Sequence, residues 1–175
     1  MKKIMIIVIS ILMLILLSFS VSASYDAFLQ VNGVDGGSVD SKHAGWINVE
    51  SYGHKMYVTP GAKTATHDTF NVVKELDKAT PKLSQYVCSG TIIPTVILEL
   101  ATSTGNKDVF MKYTLKNVVV SSIAPAGIVS EDMPNEEVAF DYESIEWEYS
   151  PLGTGGSATS TIKAGWNVNT NSAIN

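Results

Sequence analysis

Residues 65–83, ATHDTFNVVKELDKATPKL, contain the change of pattern that decides the fold. Phe70, Val72 and Leu76 share one phase of an alternating apolar pattern. Alternation with a period of two is typical of a strand with one buried face. The first part of the stretch therefore predicts a strand over about residues 68–75.

The second part of the stretch predicts a helix. Thr80 can cap free N–H groups, and Pro81 suits the first helical position. Gly90 supplies a helix end, because glycine readily adopts the left-handed conformation found there. The apolar face between them consists of Leu83, Tyr86 and Val87, spaced at i, i+3 and i+4. We therefore predict one short helix over about residues 81–89.

The pair His67–Asp68 could be a catalytic base with its orienting acid. Neighbouring residues on a strand, however, point to opposite faces of the sheet. No G-x-S-x-G nucleophile motif accompanies the pair. We therefore predict a structural or interfacial role for both residues.

Alternating segments on both sides of this stretch predict a mainly β protein. Candidate strands begin near Tyr25, Trp46, Thr91, Val109, Val138 and Thr161. Residues 53–66 are predicted to form a long loop with a turn at Pro60 and Gly61. A change of alternating phase predicts a bulge near Glu143 and Ser144. The sum is an antiparallel two-sheet β-barrel or sandwich with the short helix flanking it.

The N-terminus is typical of a secretory signal peptide. Two lysines precede an apolar run over Ile4–Leu17, and small residues lead up to Ala23. Cleavage after Ala23 would leave residues 24–175 as one domain. The alternative is an uncleaved membrane anchor, although the apolar run is shorter than the roughly 20 residues that a span needs.

The charge of the chain argues against nucleic acid as a partner. The formal net charge is −5, and all 12 basic residues are lysines. Loss of a leader with two lysines would leave 10 − 17 = −7. An acidic chain without arginine lacks the groups that bind phosphate best. We therefore expect no nucleic-acid partner and, after cleavage, no membrane partner.

The three histidines and the single cysteine give no chemical signature. His43, His54 and His67 match no compact zinc spacing, and no cysteine pair accompanies them. We therefore predict no metal and no cofactor. Cys88 cannot form an intramolecular disulfide, and a lone cysteine is most often a small buried hydrophobe. We expect that role for Cys88.

An acidic and aromatic cluster on a late strand keeps an alternative open. Glu146 and Glu148 flank Trp147, with Glu143 nearby. Two carboxylates beside an aromatic ring are compatible with a glycosidase or a carbohydrate-binding surface. Ordinary alternation, with polar residues outside and apolar residues inside, explains the same pattern and is favoured.

The order of several segments resembles the Hcp family, the haemolysin-coregulated tube protein of type VI secretion. The matching segments are FLQVNGVDGGSVDSKHAGWINVESYGH (28–54), THDTFNVVKELDKATPKL (66–83), YTLKNVVVSSI (113–123), VAFDYESIEWEYSP (138–151) and AGWNV (164–168). They include a K-x-x-G step and a K-x-x-D-K-x-x-P passage. Each is weak alone, but their order and spacing together are fairly specific to the family.

The resemblance implies a β-barrel of two sheets whose subunits form hexameric rings that stack into a tube. It implies no catalytic residue and no cofactor, and it suggests effector cargo or sheath-like proteins as further partners. The loop that matches residues 53–66 is an extended hairpin in the family. Its apolar residues are the predicted subunit interface: Met56, Tyr57, Val58 and Pro60.

The predicted signal peptide is a departure from the family, whose tube protein assembles in the cytoplasm without one. We therefore expect a non-enzymatic ring or tube subunit that is exported and acts outside the membrane. The alternative hypothesis is an exported monomeric carbohydrate-binding module or hydrolase on the same β-barrel scaffold.

Overall fold

A computed structural model of the chain describes residues 25–129, 133–153 and 160–174. The predicted signal peptide, residues 1–23, lies outside these described residues, and so does most of the predicted loop at 151–160.

The described residues form twelve strands and one helix. These are β1 (Tyr25–Val31), β2 (Ile47–Val49), β3 (Ser51–Gly53), β4 (Met56–Tyr57), β5 (Thr66–His67), β6 (Phe70–Glu75), α1 (Thr80–Ser89), β7 (Ile92–Thr102), β8 (Val109–Ala126), β9 (Asn135–Asp141), β10 (Ser144–Tyr149), β11 (Ile162–Asn167) and β12 (Ser172–Ile174). The decisive stretch therefore contains β6 and the start of α1, as predicted.

The strand pairing confirms a mainly antiparallel β fold with one short helix. Among the described residues the strands do not close into the predicted barrel, and its two layers are joined into one sheet. Ten strands form one branched sheet in the order β12-β11-β10-β8-β7-β1-β2, with β9 on β8, β6 on β9 and β3 on β6. The second sheet is only the β4–β5 ribbon. The cause is β8, whose 18 residues pair with β7 and β10 first and with β9 later, so that one strand serves both layers.

The core follows the alternation that the sequence predicts. Along β6, Phe70 and Val72 are fully buried, and on the paired strand β9, Val138 and Phe140 are fully buried opposite them. Leu83 of α1 is also fully buried. Burying a large apolar side chain contributes roughly 1.5–3 kcal/mol. The β6–β9 pair and the inner face of α1 therefore pack into one core with β1, β7 and β8.

Lys74 is a charged residue at a core position of β6. Its side chain is 1% exposed, and its Nζ lies 2.6 Å from Glu136 Oε1 and 2.8 Å from Asp77 Oδ1. Glu136 is also buried, and its Oε2 has no hydrogen-bond partner among the described residues. A buried ion is tolerated only when it is paired in this way. The lysine and aspartate of the K-x-x-D-K-x-x-P passage are therefore structural.

The start of α1 differs from the predicted cap. The capping position is Ala79, which has no side chain able to cap, and Pro81 lies in the first turn. Thr80 Oγ1 instead donates to Glu136 Oε1 at 2.8 Å and accepts from the Asp77 N–H at 3.2 Å. The threonine thus ties the helix to β9. At the other end Gly90 has φ = +62°, which confirms the predicted helix end.

The loop between β1 and β2 is fastened to the same passage. The Gly37 N–H donates to Asp77 Oδ2 at 2.8 Å. Beside it, Gly36 passes so close to the next strand that a Cβ would lie 2.3 Å from the Trp46 carbonyl oxygen. Only glycine allows this approach, so the first hairpin is held against the start of α1.

The predicted irregularity near Glu143 is a break between two strands. β9 ends at Asp141 and β10 begins at Ser144, yet the pairing with β8 keeps its register across the gap. Opposite the break, Asn117 has φ = +50° and its Nδ2 donates to Glu143 Oε2 at 2.6 Å. The predicted change of alternating phase therefore falls at the break between β9 and β10.

Candidate assembly surface

A loop that we call the extended loop, residues 54–68, projects from between β3 and β6. Its two legs pair only at Met56–His67 and Tyr57–Thr66, and the Asp68 N–H donates to the Lys55 carbonyl at 2.9 Å. A turn closes the far end, where the Ala62 N–H donates to the Thr59 carbonyl at 2.9 Å. Because the two legs pair at only two positions, side-chain contacts are needed to stabilise the loop.

The four predicted interface residues all lie in the extended loop, and all are exposed. Met56, Tyr57 and Val58 have 45%, 42% and 61% of their surface accessible, and Pro60 is also exposed. Lys55 Nζ lies 4.7 Å from the centre of the Tyr57 ring, an ordinary cation–π contact. A run of exposed apolar side chains on a projecting loop is typical of a protein–protein contact.

A histidine–tyrosine cluster lies at the base of the extended loop. His54 Nε2 is 2.6 Å and His67 Nδ1 is 3.0 Å from the Tyr142 hydroxyl oxygen. The His54 ring also packs against the Phe70 ring, with centroids 5.3 Å apart. One phenol between β9 and β10 therefore holds both legs of the loop. His67 faces this phenol rather than its neighbour Asp68.

Burial changes the acidity of all three groups. It lowers the pKa of His54, where the nearby His67 acts in the same direction and Asp68 opposes it. Burial also lowers the pKa of His67. It raises the pKa of Tyr142, and the Asp141 carboxylate adds to that effect. The cluster therefore favours neutral imidazoles and a neutral phenol.

His43, the third histidine, lies apart from this cluster in a buried charged network. Its Nδ1 is 2.9 Å from Asp40 Oδ1 and its Nε2 is 3.0 Å from Glu99 Oε2. The ring stacks on Phe28 at 4.1 Å between centroids. Lys107, and then His43, hold the pKa of Asp40 well below its usual range. These contacts fasten the β1–β2 loop to β7.

The acidic and aromatic residues of β10 are divided between the core and an ion pair with β11. Trp147 is partly buried and packs against the core. Glu148 Oε1 pairs with Lys163 Nζ of β11 at 3.0 Å. These contacts agree with the favoured prediction of ordinary alternation, with Trp147 turned toward the core and Glu148 toward Lys163, and they do not support the alternative of a sugar-binding surface.

Cys88 is exposed on α1, so the expectation of a buried thiol is wrong. The helix turns its Leu83 face inward and Cys88 falls on the outer side. In the described ranges no three His, Cys, Asp or Glu side chains come close enough to hold a metal ion. No helix in these ranges is long and apolar enough to cross a membrane.

A family model described as "Type VI secretion system effector, Hcp" matches residues 28–149. The chain belongs to the Hcp family. Protein hcp1 of Pseudomonas aeruginosa is 29% identical over 157 residues, covering 83% of this chain and 96% of hcp1.

Solved structures support the same assignment. A type six secretion system protein is 31% identical with a TM-score of 0.79 over 86% of this chain and all of that structure. Hcp1 from Salmonella typhimurium is 29% identical with a TM-score of 0.74 over 87% of this chain and all of that structure. The resemblance found in the sequence is therefore confirmed.

Two functional features escaped the sequence argument. The first is the contact of His54 and His67 with Tyr142. The tyrosine lies 88 positions after His54 and 75 after His67, so no local spacing pattern could connect them. The second is the role of Lys74, which falls in the buried phase with Phe70 and Val72. A charged residue in a buried phase was the signal that could have revealed the ion pair with Glu136.

Proposed function

We propose that this Hcp-family chain is a non-enzymatic subunit that assembles with copies of itself into the ring or tube of a type VI secretion apparatus. The observation that carries the proposal is the extended loop, which presents Met56, Tyr57 and Val58 to solvent in a chain of this family. An exposed apolar run of this kind gains free energy when a second subunit covers it.

The extended loop makes a head-to-tail contact, since a projecting loop and the surface that receives it are different parts of the subunit. Contacts of this kind close into a ring when the rotation between subunits is an exact fraction of a turn. We propose a hexameric ring that stacks into a tube, with effector cargo or sheath-like proteins as further partners.

The N-terminal sequence supports export of the subunit. Residues 1–23 are proposed to be a signal peptide cleaved after Ala23, which leaves residues 24–175 as one Hcp domain acting outside the membrane. Tyr25, where the described structure begins, is already the first residue of β1. Cleavage after Ala23 would therefore keep every described residue of β1 in the mature chain.

Expression of the full chain in a bacterial host tests assembly and export together. We expect the protein in the external or periplasmic fraction, with Ser24 as its first residue by N-terminal sequencing. Light scattering and negative-stain microscopy of the same sample are expected to show rings of six subunits. A uniform monomer at high concentration would refute assembly, and retention of residue 1 in the membrane fraction would refute cleavage.

A further inference from the structure

The Tyr142 hydroxyl is a hydrogen-bonding centre that the proposed function leaves unexplained. It meets the imidazoles of His54 and His67, one from each leg of the extended loop, at 2.6 and 3.0 Å. All three residues are partly buried. The β4–β5 ribbon and the Asp68–Lys55 bond join the two legs to each other, whereas this cluster and the packing of His54 on Phe70 join the base of the loop to the sheet.

The arrangement depends on the number of protons. A neutral imidazole has one N–H and one acceptor nitrogen, and a phenol has one O–H. Tyr142 can therefore donate to one histidine while it accepts from the other. If both imidazoles are charged, every ring nitrogen is a donor. The phenol proton then has no acceptor in the cluster, and two cations lie with ring centroids 6.3 Å apart.

Few charges near the cluster offset this repulsion. Asp68 favours a charged His54, and Asp141 acts on Tyr142. Glu143 is occupied by amide donors from Asn117 and Asn167. Lys55 adds positive charge beside His54, although its Nζ lies over the Tyr57 ring. The carboxylates of Asp68 and Asp141 therefore supply two negative charges against the three positive charges of two imidazolium groups and a lysine.

We infer that His54, Tyr142 and His67 form a proton-sensitive latch that holds the extended loop when both imidazoles are neutral and releases it when they are protonated. The consequence for assembly rests on the proposed function, since it requires the loop to contact another subunit. Rings then form at neutral pH and dissociate in acid.

The pH range follows from the direction of the pKa changes. The pKa values of both histidines are lowered in the fold from 6.5, so folding with a closed latch disfavours protonation. The unfolded or open state consequently binds more protons below pH 6.5. The latch therefore stabilises the closed loop fully above about pH 6.5. This stabilisation is lost as the pH falls through the lowered pKa values that the two histidines have in the fold.

Hydrogen exchange on the full chain tests the latch without requiring assembly. The Asp68 amide reports on the loop base, because it donates across the two legs to Lys55. After division by the intrinsic rate, its exchange is expected to quicken about tenfold between pH 7.5 and pH 5.5, because protonation of the two imidazoles favours the open loop. An unchanged ratio would overturn the inference.

Two variants separate the latch from general acid damage. In the double variant H54Q/H67Q the side chains keep donors and acceptors but do not titrate, so exchange at Asp68 is expected to be the same at both pH values. Tyr142→Phe removes the shared hydroxyl, and fast exchange is expected at both. Protection of the Val72 amide in the core establishes that each variant is folded. Wild-type behaviour in both variants would refute the latch.

Light scattering on the same samples distinguishes this inference from the proposed function. Rings at pH 7.5 that dissociate at pH 5.5 in the wild type but persist in H54Q/H67Q support both. Rings in the wild type that persist at pH 5.5 refute the link between the latch and assembly. No ring at any pH refutes the proposed function, while the exchange of Asp68 still decides the latch.

Discussion

The extended loop and the strand-to-helix passage, residues 70–83, adjoin in the chain but are stabilised in opposite ways. The passage is fixed by buried apolar residues and by the Lys74–Glu136–Asp77 ion cluster. The extended loop exposes its apolar residues, pairs its own legs over two residues each, and is held at its base by one phenol. The same types of side chain therefore serve folding in one region and are left available for contact in the other.

The largest expected effect lies in the passage. Lys74→Met leaves Glu136 buried without a cation, which is expected to lower the free energy of unfolding by about 3–5 kcal/mol. Chemical denaturation of the variant and wild type measures the difference. A loss below about 1 kcal/mol would mean that water reaches the carboxylate and that the passage is not rigid.

The matched control removes both charges. K74M/E136L replaces the ion pair with apolar side chains of similar size, and it is expected to recover most of the lost stability, because uncharged packing often equals a buried pair. Asp77 would lose one partner in this variant but keeps its bonds to Gly37 and Ala79. Failure to recover would show that Lys74 also positions Asp77 and the start of α1.

A smaller effect is expected where the first hairpin meets the passage. Gly36→Ala places a methyl group 2.3 Å from the Trp46 carbonyl oxygen, and the backbone shift is expected to cost about 1–3 kcal/mol. Gly53→Ala is the control, since no atom lies within 4 Å of its added methyl group. Equal denaturation midpoints for the two variants would contradict the close approach.

In the extended loop the expected effect moves from stability to assembly. Met56→Ser with Val58→Ser is expected to change the free energy of unfolding by less than about 0.5 kcal/mol, because both side chains are already exposed. Subunit affinity is expected to fall about tenfold or more, as for residues near the centre of an interface. Sedimentation velocity over a range of concentrations measures the affinity.

A position outside the loop provides the control for this comparison. Val39 is 95% exposed in the β1–β2 loop, and Val39→Ser makes a similar polar change. Its assembly is expected to match the wild type. If Val39→Ser weakens assembly as much as the loop variant, general surface polarity rather than the extended loop governs association.

The smallest effect is expected on the outer face of α1. Cys88→Ser is expected to leave both the free energy of unfolding and ring formation unchanged within about 0.5 kcal/mol, since the thiol is exposed. Thermal unfolding and light scattering check both quantities. A clear loss of rings would show that α1 also contributes to a contact between subunits.

Much of the fold could be predicted because it depends on local alternation. The phase of Phe70 and Val72 predicted β6, and the run from Pro81 to Gly90 predicted α1 within one residue. The predicted interface residues of the extended loop came from the family resemblance, because the alternating pattern alone gives no indication of a subunit contact. The burial of Cys88 was predicted from the usual behaviour of the residue type, and the face of the helix decided otherwise.

The sequence by itself determined the longer strands, the helix and the family, because alternation, turn residues and their order can be read along the chain. The short strands β4, β5 and β12 were not predicted. Only the tertiary structure decided that β8 serves both layers, that Lys74 meets Glu136, and that His54 and His67 share Tyr142. The side-chain contacts among these join residues 62 to 88 positions apart. Their geometry depends on how the sheet bends, which short-range patterns do not specify.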